Sequence, residues 1–162
     1  MAKIKLPATA AVRMLRLANI SFTPHSYTYE ERGGTAVSAR ELSVDEHQII
    51  KTLVMEDHEG RPLIVLMHGD REVSTRELAR VLGVKTITPC TPESANRHSG
   101  YLVGGTSPFA TRKPMAVYME KTILDLDRIY INGGRRGFLL GMSPRDVTRL
   151  LEPTLVNVGI NK

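Results

Sequence analysis

Ile49-Ile50-Lys51-Thr52-Leu53-Val54-Met55-Glu56, Asp57-His58-Glu59-Gly60-Arg61 and Pro62-Leu63-Ile64-Val65-Leu66-Met67-His68 follow one another without interruption. They read as a strand, a hairpin turn and a strongly apolar partner strand. Such a pair is antiparallel and gives a sheet to build on. One residue is out of character. Lys51 stands among Ile50, Leu53, Val54 and Met55. A lysine there lies on the solvent face or is aimed into a cleft, because lysine is seldom buried unpaired.

Upstream, residues 8–19 predict a helix, with Val12, Leu15 and Ala18 on one side and Arg13 and Arg16 on the other. Residues 21–29 alternate loosely through Phe22, His25, Tyr27 and Tyr29, as a strand does. A polar turn over 30–34 precedes a short helix from Thr35 to Leu42. Ser43-x-x-Glu46 is a capping-box pattern for one more helical turn.

Downstream, Ser74-x-x-Glu77 opens a helix that Gly83 closes, a strand follows over 84–88, and Thr91-Pro92 starts another short helix. Residues 101–103, 115–119, 128–132, 138–142 and 155–158 read as strands. Ser143-Pro144 opens a last helix with Val147, Leu150 and Leu151 on its buried side. No repeat, linker or low-complexity stretch divides the chain. The pattern predicts one mixed α/β (α+β) domain over 1–162, with a curved, largely antiparallel sheet and helices packed outside.

Chemistry concentrates after the fourth helix. Tyr101-Leu102-Val103 ends abruptly in Gly104-Gly105-Thr106-Ser107-Pro108. Paired glycines let a backbone approach a ligand closely and take dihedrals closed to other residues. The amides of such a loop suit a carbonyl, phosphate or ribose, and Thr106 and Ser107 add hydroxyls. The same residues also make an ordinary tight turn. A second glycine turn, Asn132-Gly133-Gly134, leads into the basic pair Arg135-Arg136.

The composition, 41% hydrophobic and 24% charged, argues against disorder, and no apolar run is long enough to cross a bilayer. Lys3 and Lys5 resemble the start of a signal peptide, but Arg13 and Arg16 interrupt the apolar stretch one needs. The single cysteine, Cys90, excludes an internal disulfide and fits a reducing, cytoplasmic setting. No histidine adjoins it in sequence, and the five histidines show no ligand spacing. Neither a thiol nucleophile, a metal site nor a cofactor is expected. The net charge of +5 is uneven: residues 97–162 carry ten Lys/Arg against five Asp/Glu, whereas the rest balances. That excess is either a polyanion site or a solvated basic surface.

Three strings taken together, Lys51-Thr52-Leu53-Val54, Gly100-Tyr101-Leu102-Val103-Gly104-Gly105-Thr106-Ser107-Pro108 and Ile131-Asn132-Gly133-Gly134-Arg135-Arg136-Gly137, resemble the YbaK/EbsC family. These are free-standing aminoacyl-tRNA deacylases related to the editing insertion of bacterial prolyl-tRNA synthetase. The resemblance runs from about Val12 to about Val158. It implies a compact barrel-like mixed sheet and hydrolysis of the ester joining a wrong amino acid to the tRNA 3′ end. In the best-known branch that ester is Cys-tRNA(Pro).

The resemblance further implies that Lys51 is the signature catalytic lysine and that Gly104 and Pro108 belong to a Gly-x-x-x-Pro loop. Tyr27 corresponds to a tyrosine facing the pocket. Thr52, Gly105, Thr106, Ser107, Asn132 and Gly133 complete the expected substrate-binding set. The implied partners are the tRNA acceptor end and a prolyl-tRNA synthetase as helper, without a membrane. Attack is by the substrate's own thiol or by bound water. Two departures bear on amino-acid choice: the cysteine-specific branch often has Ser where this chain has Asn132, and an acidic residue where it has Leu139. The alternative from another class is a non-catalytic module that binds a nucleotide or tRNA end.

Overall fold

In the computed structural model the described residues are 6–162; Lys3 and Lys5 lie outside them. The chain runs α1 (Ala10–Leu17), β1 (Thr23–Ser26), α2 (Gly34–Leu42), β2 (Ile49–Asp57), β3 (Pro62–His68), β4 (Arg71–Val73), α3 (Thr75–Leu82) and β5 (Ile87–Pro89). It continues through α4 (Pro92–Ser99), β6 (Ala116–Glu120), β7 (Ile129–Arg135), β8 (Phe138–Met142), α5 (Pro144–Leu151), β9 (Thr154–Val156) and β10 (Gly159–Asn161). Single 3₁₀ turns at Glu46–Gln48 and Lys121–Asp125 introduce β2 and follow β6.

The hairpin is the centre of the molecule. β2 pairs with β3 from Ile50↔His68 to Glu56↔Pro62, and Asp57 Oδ1 accepts from the Glu59 and Arg61 amides (2.9 and 3.0 Å) to fix the turn. Around it the sheet runs β1-β8-β7-β2-β3-β6-β9, with β5 added on β2 and a separate β10-β4 pair. It is mixed: β2·β7, β3·β6 and β6·β9 are parallel, the other pairings antiparallel.

β3 is apolar from Leu63 to Met67 because both its faces are covered. Ile64 and Leu66 enter the larger core with Leu15 of α1, Phe109, Ile131 and Val147 of α5. Leu63, Val65 and Met67 enter a second core with Leu78 of α3 and Val158. A third cluster, Ala39 of α2, Ile49 and Leu139, gathers Tyr27, Leu42 and Tyr130.

The expected helix starts at Ser74, Thr91 and Ser143 are present, each side chain accepting from an amide of the helix it caps. Ser74 accepts from the Glu77 amide and Gly83 ends α3 in the left-handed region; Thr91 and Ser143 cap α4 and α5 with Pro next. Ser43-x-x-Glu46 differs. Ser43 closes α2 at φ +55°, and Asp45 caps the following turn. The expected strand at 101–103 is absent. There the Ser99 hydroxyl accepts the Tyr101 amide (3.1 Å) and the Tyr101 hydroxyl donates to Phe109 O (2.5 Å), so side chains hold a loop instead. β4 and β10, three residues each, carry too little pattern to be read from sequence.

Candidate active site

The registers of β2 define an opening. On the edge away from β3, β2 pairs with β7 only at Ile49 and Ile50 and with β5 only from Met55 to Asp57. β7 then departs through an irregularity between Asn132 and Arg135. Lys51, Thr52 and Leu53 therefore have no strand partner on that edge.

Strand geometry sends alternate side chains to opposite faces. Lys51 shares a face with Ile49, and one step along the Ile50↔Ile131 register stands Asn132 on that same face. Leu139, the partner of Asn132, and Tyr27 complete the neighbourhood. Lys51 is half-buried and its ammonium donates to Arg71 O. Burial pushes its pKa below the ordinary lysine value and Lys162 adds to this, against the pull of Glu72, Glu46 and Asp70. One of three N–H donors is used, so the group keeps donors for a ligand. Burial raises the pKa of Tyr27, which keeps the phenol protonated.

The residues 100–113 loop closes the opening from the β7–β8 side. Asn132 Nδ2 donates to Gly104 O (3.2 Å), while its Oδ1 accepts the amides of Gly134 and Arg135 (2.7 and 3.1 Å). Arg136 Nε donates to Val103 O (2.9 Å), and its guanidinium lies 5.0 Å over the Tyr29 ring. Gly104 adopts φ +93° against Tyr29, and a Cβ at Gly105 would stand 2.7 Å from Arg136 N. These glycines make room for the protein's own Tyr29 and β7–β8 turn.

The loop's donors are divided. The Gly105 amide donates to Leu102 O (2.8 Å) and the Phe109 amide to the Ser107 hydroxyl (3.2 Å). Among the described residues the amides of Gly104 and Thr106 have no such acceptor. On its outer side the loop meets α4 in a cleft of about 370 Å³ whose lining includes Glu93, Asn96, Arg97, Tyr101, Leu102 and Arg112. Leu102 is 61% and Val103 41% exposed, an apolar rim between arginines.

The expected site set thus separates. Lys51 and Asn132 share a face of the sheet by register, Tyr27 packs against the Ile49–Leu139 cluster on that face, and on the loop Gly104 is exposed and Thr106 partly exposed. Thr52 points to the opposite face, opposite Leu66, because it is the next residue in a strand. Gly105, Ser107 and Pro108 are buried, the Ser107 hydroxyl being occupied by its own turn. Gly133 is buried too, since a Cβ there would meet the Phe138 ring at 2.5 Å. These five are thus buried or turned to the opposite face of β2.

Asn132 acts as a tie between loop and strand. Tyr29 was missed as a site residue, and Arg136 was read only as part of a basic pair. A tyrosine two residues after Tyr27 was the available signal. Sequence spacing also missed that Glu56 and His98 approach Cys90, each offering a ligand atom within 4.8 Å of the others.

Comparison with known proteins shows the family. Residues 30–150 match the model of the aminoacyl-tRNA editing domain. The chain is 26% identical over 143 residues to EbsC of Enterococcus faecalis, named as a candidate Cys-tRNA(Pro)/Cys-tRNA(Cys) deacylase, covering 88% of this chain and 87% of that one. It is 29% identical over 124 residues to a proline–tRNA ligase of Streptococcus equi subsp. zooepidemicus, covering 75% of this chain but only 19% of the ligase. A solved structure titled as a candidate trans-editing enzyme for prolyl-tRNA synthetase superposes with TM-score 0.84 at 19% identity, covering 97% of this chain and all of that one. The chain belongs to the aminoacyl-tRNA editing domain family and is a hydrolase of that family.

Proposed function

We propose that this protein hydrolyses the ester of a mischarged tRNA(Pro), with Cys-tRNA(Pro) as its first substrate. The observation that carries the reading is the half-buried Lys51 on the unpaired edge of β2, on the same face as Asn132, which ties the glycine loop through Gly104 O.

An aminoacyl ester is already activated, so the site needs a positioned carbonyl and a stabilised oxyanion more than a strong nucleophile. The Gly104 and Thr106 amides suit the oxyanion, and the Lys51 ammonium suits the terminal ribose, the phosphate or the developing charge. Attack by water or by the substrate thiol each develops an oxyanion on the ester carbonyl oxygen as the tRNA hydroxyl leaves, so both draw on these donors. Leu139, beside Asn132, favours a small uncharged amino-acid side chain over a cationic one. Arg97, Arg112 and Arg136 with the Leu102–Val103 rim suit a single-stranded acceptor end. The likeness to EbsC and to part of a proline–tRNA ligase supports proline tRNA and a synthetase partner.

The test is a panel of tRNAs mischarged with cysteine, alanine, serine and lysine on tRNA(Pro), with correctly charged Pro-tRNA(Pro) as reference. Release is expected to be fastest for cysteine and absent for lysine. Binding of every member without release would make the protein a binding module instead.

A further inference from the structure

Glu56, Cys90 and His98 come from three elements: β2, the residue after β5, and the last turn of α4. The Glu56↔Thr88 pairing and the Cys90 amide donating to Val54 O (3.1 Å) bring Cys90 beside β2. One donor atom from each of the three side chains lies within 4.8 Å of the other two. The thiol already points to the Glu56 carboxylate at 3.9 Å. His98 is 6% exposed, and its Nδ1 is enclosed without a hydrogen-bond partner among the described residues. A buried polar atom left unpaired calls for a partner that the protein itself does not supply.

The chemistry of the set selects that partner. Thiolate, imidazole and carboxylate together suit zinc and its neighbours, whereas magnesium and calcium prefer oxygen alone. Around a tetrahedral zinc ion ligand atoms stand about 3.3–3.8 Å apart, so the cluster needs only a small contraction. Two anionic ligands balance a divalent charge. Burial, then Glu56, raises the Cys90 thiol pKa, and burial lowers that of His98.

We infer that Glu56, Cys90 and His98 form a three-ligand site for a divalent cation of the zinc class, with the fourth position left to water. On binding, the sulfur–metal bond forms as the thiol proton leaves to solvent, without any change of oxidation state. Ser99 and Gly100 follow His98 directly, so the ion would clamp the end of α4 and the start of the glycine loop to β2 and β5. The other His/Asp group is a poorer site. Both nitrogens of His68 are engaged, with His47 O and the Thr122 hydroxyl (2.7 Å each), which leaves His47 and Asp70.

Cobalt(II) titration of the purified protein tests this, because Cys90 is the only cysteine and any thiolate-to-cobalt charge-transfer band reports it. One cobalt per chain, a charge-transfer band and its loss on adding zinc are expected. Cys90→Ser should remove the band and weaken zinc binding at least ~100-fold, and Glu56→Gln and His98→Gln at least ~10-fold each, since even outer partners of metal ligands cost that much. Asp70→Asn should leave binding unchanged. Zinc should raise the melting temperature of the wild type but not of folded Cys90→Ser. No band, one metal per two chains, or full-strength binding by the Glu56 or His98 variant would overturn the site. So would loss of binding in Asp70→Asn.

Discussion

A methyl group added at Gly104 meets two obstacles at once. The φ of +93° is unfavourable for any L side chain, and the new Cβ would stand 2.6 Å from the Tyr29 hydroxyl. The dihedral alone costs about 1 kcal/mol, and the contact adds to it unless Tyr29 moves. Gly104→Ala should therefore lower the melting temperature, and by less in a Tyr29→Ala background, where only the dihedral penalty remains. Thermal melting of the four combinations measures this; equal losses in both backgrounds would remove the Tyr29 contact. Residue identity was legible in the sequence further than residue direction. Lys51 stood out as a lysine in an apolar strand, but which face it takes depends on pairing with β7. Ser107 offered a hydroxyl on paper, and only its burial shows that the Phe109 amide already uses it.

His68 joins three elements at the end of β3. Its Nδ1 donates to His47 O in the 3₁₀ turn before β2, and its Nε2 accepts from Thr122 in the turn after β6; this tautomer follows from the partners, since a carbonyl only accepts. The His47 ring stacks on it at 3.6 Å. Burial holds the His68 pKa below 6.5, only partly offset by the His47 carbonyl. As pH falls the unfolded chain takes up this proton first. The contribution is whole above about pH 6.5 and is lost below it, toward the lower folded-state value. The melting temperature should fall between pH 7 and pH 5. His68→Gln should melt lower at pH 7 yet lose less on acidification. Parallel curves for the two proteins would contradict the assignment. Elements were legible where their signals are local. The caps at Ser74, Thr91 and Ser143 lie within a few residues of the amides they satisfy. Ser43 showed the same pattern but is taken by the end of α2, and Tyr101 is held by Ser99 and Phe109, contacts that periodicity does not carry.

Across the whole molecule, the β2–β3 hairpin places Lys51 at an edge that β7 and β5 leave unpaired, and Asn132 and Arg136 tie the glycine loop to β7 and the turn after it. The mixed sheet and its helices followed from the hairpin and the order of elements. The grouping of Glu56, Cys90 and His98 did not, because long-range pairing brings it about. The ten cationic side chains after residue 96 include Arg97, Arg112 and Arg136, which stand around the glycine loop. The most direct test of the account is single-turnover deacylation of Cys-tRNA(Pro) by the wild type and by Lys51→Ala. The wild type should release cysteine well above the spontaneous rate. The variant should melt as the wild type does but hydrolyse at least ~100-fold more slowly, a loss of about 2.7 kcal/mol of transition-state stabilisation. Equal rates for the two folded proteins, or no release above the spontaneous rate by the wild type, would contradict it.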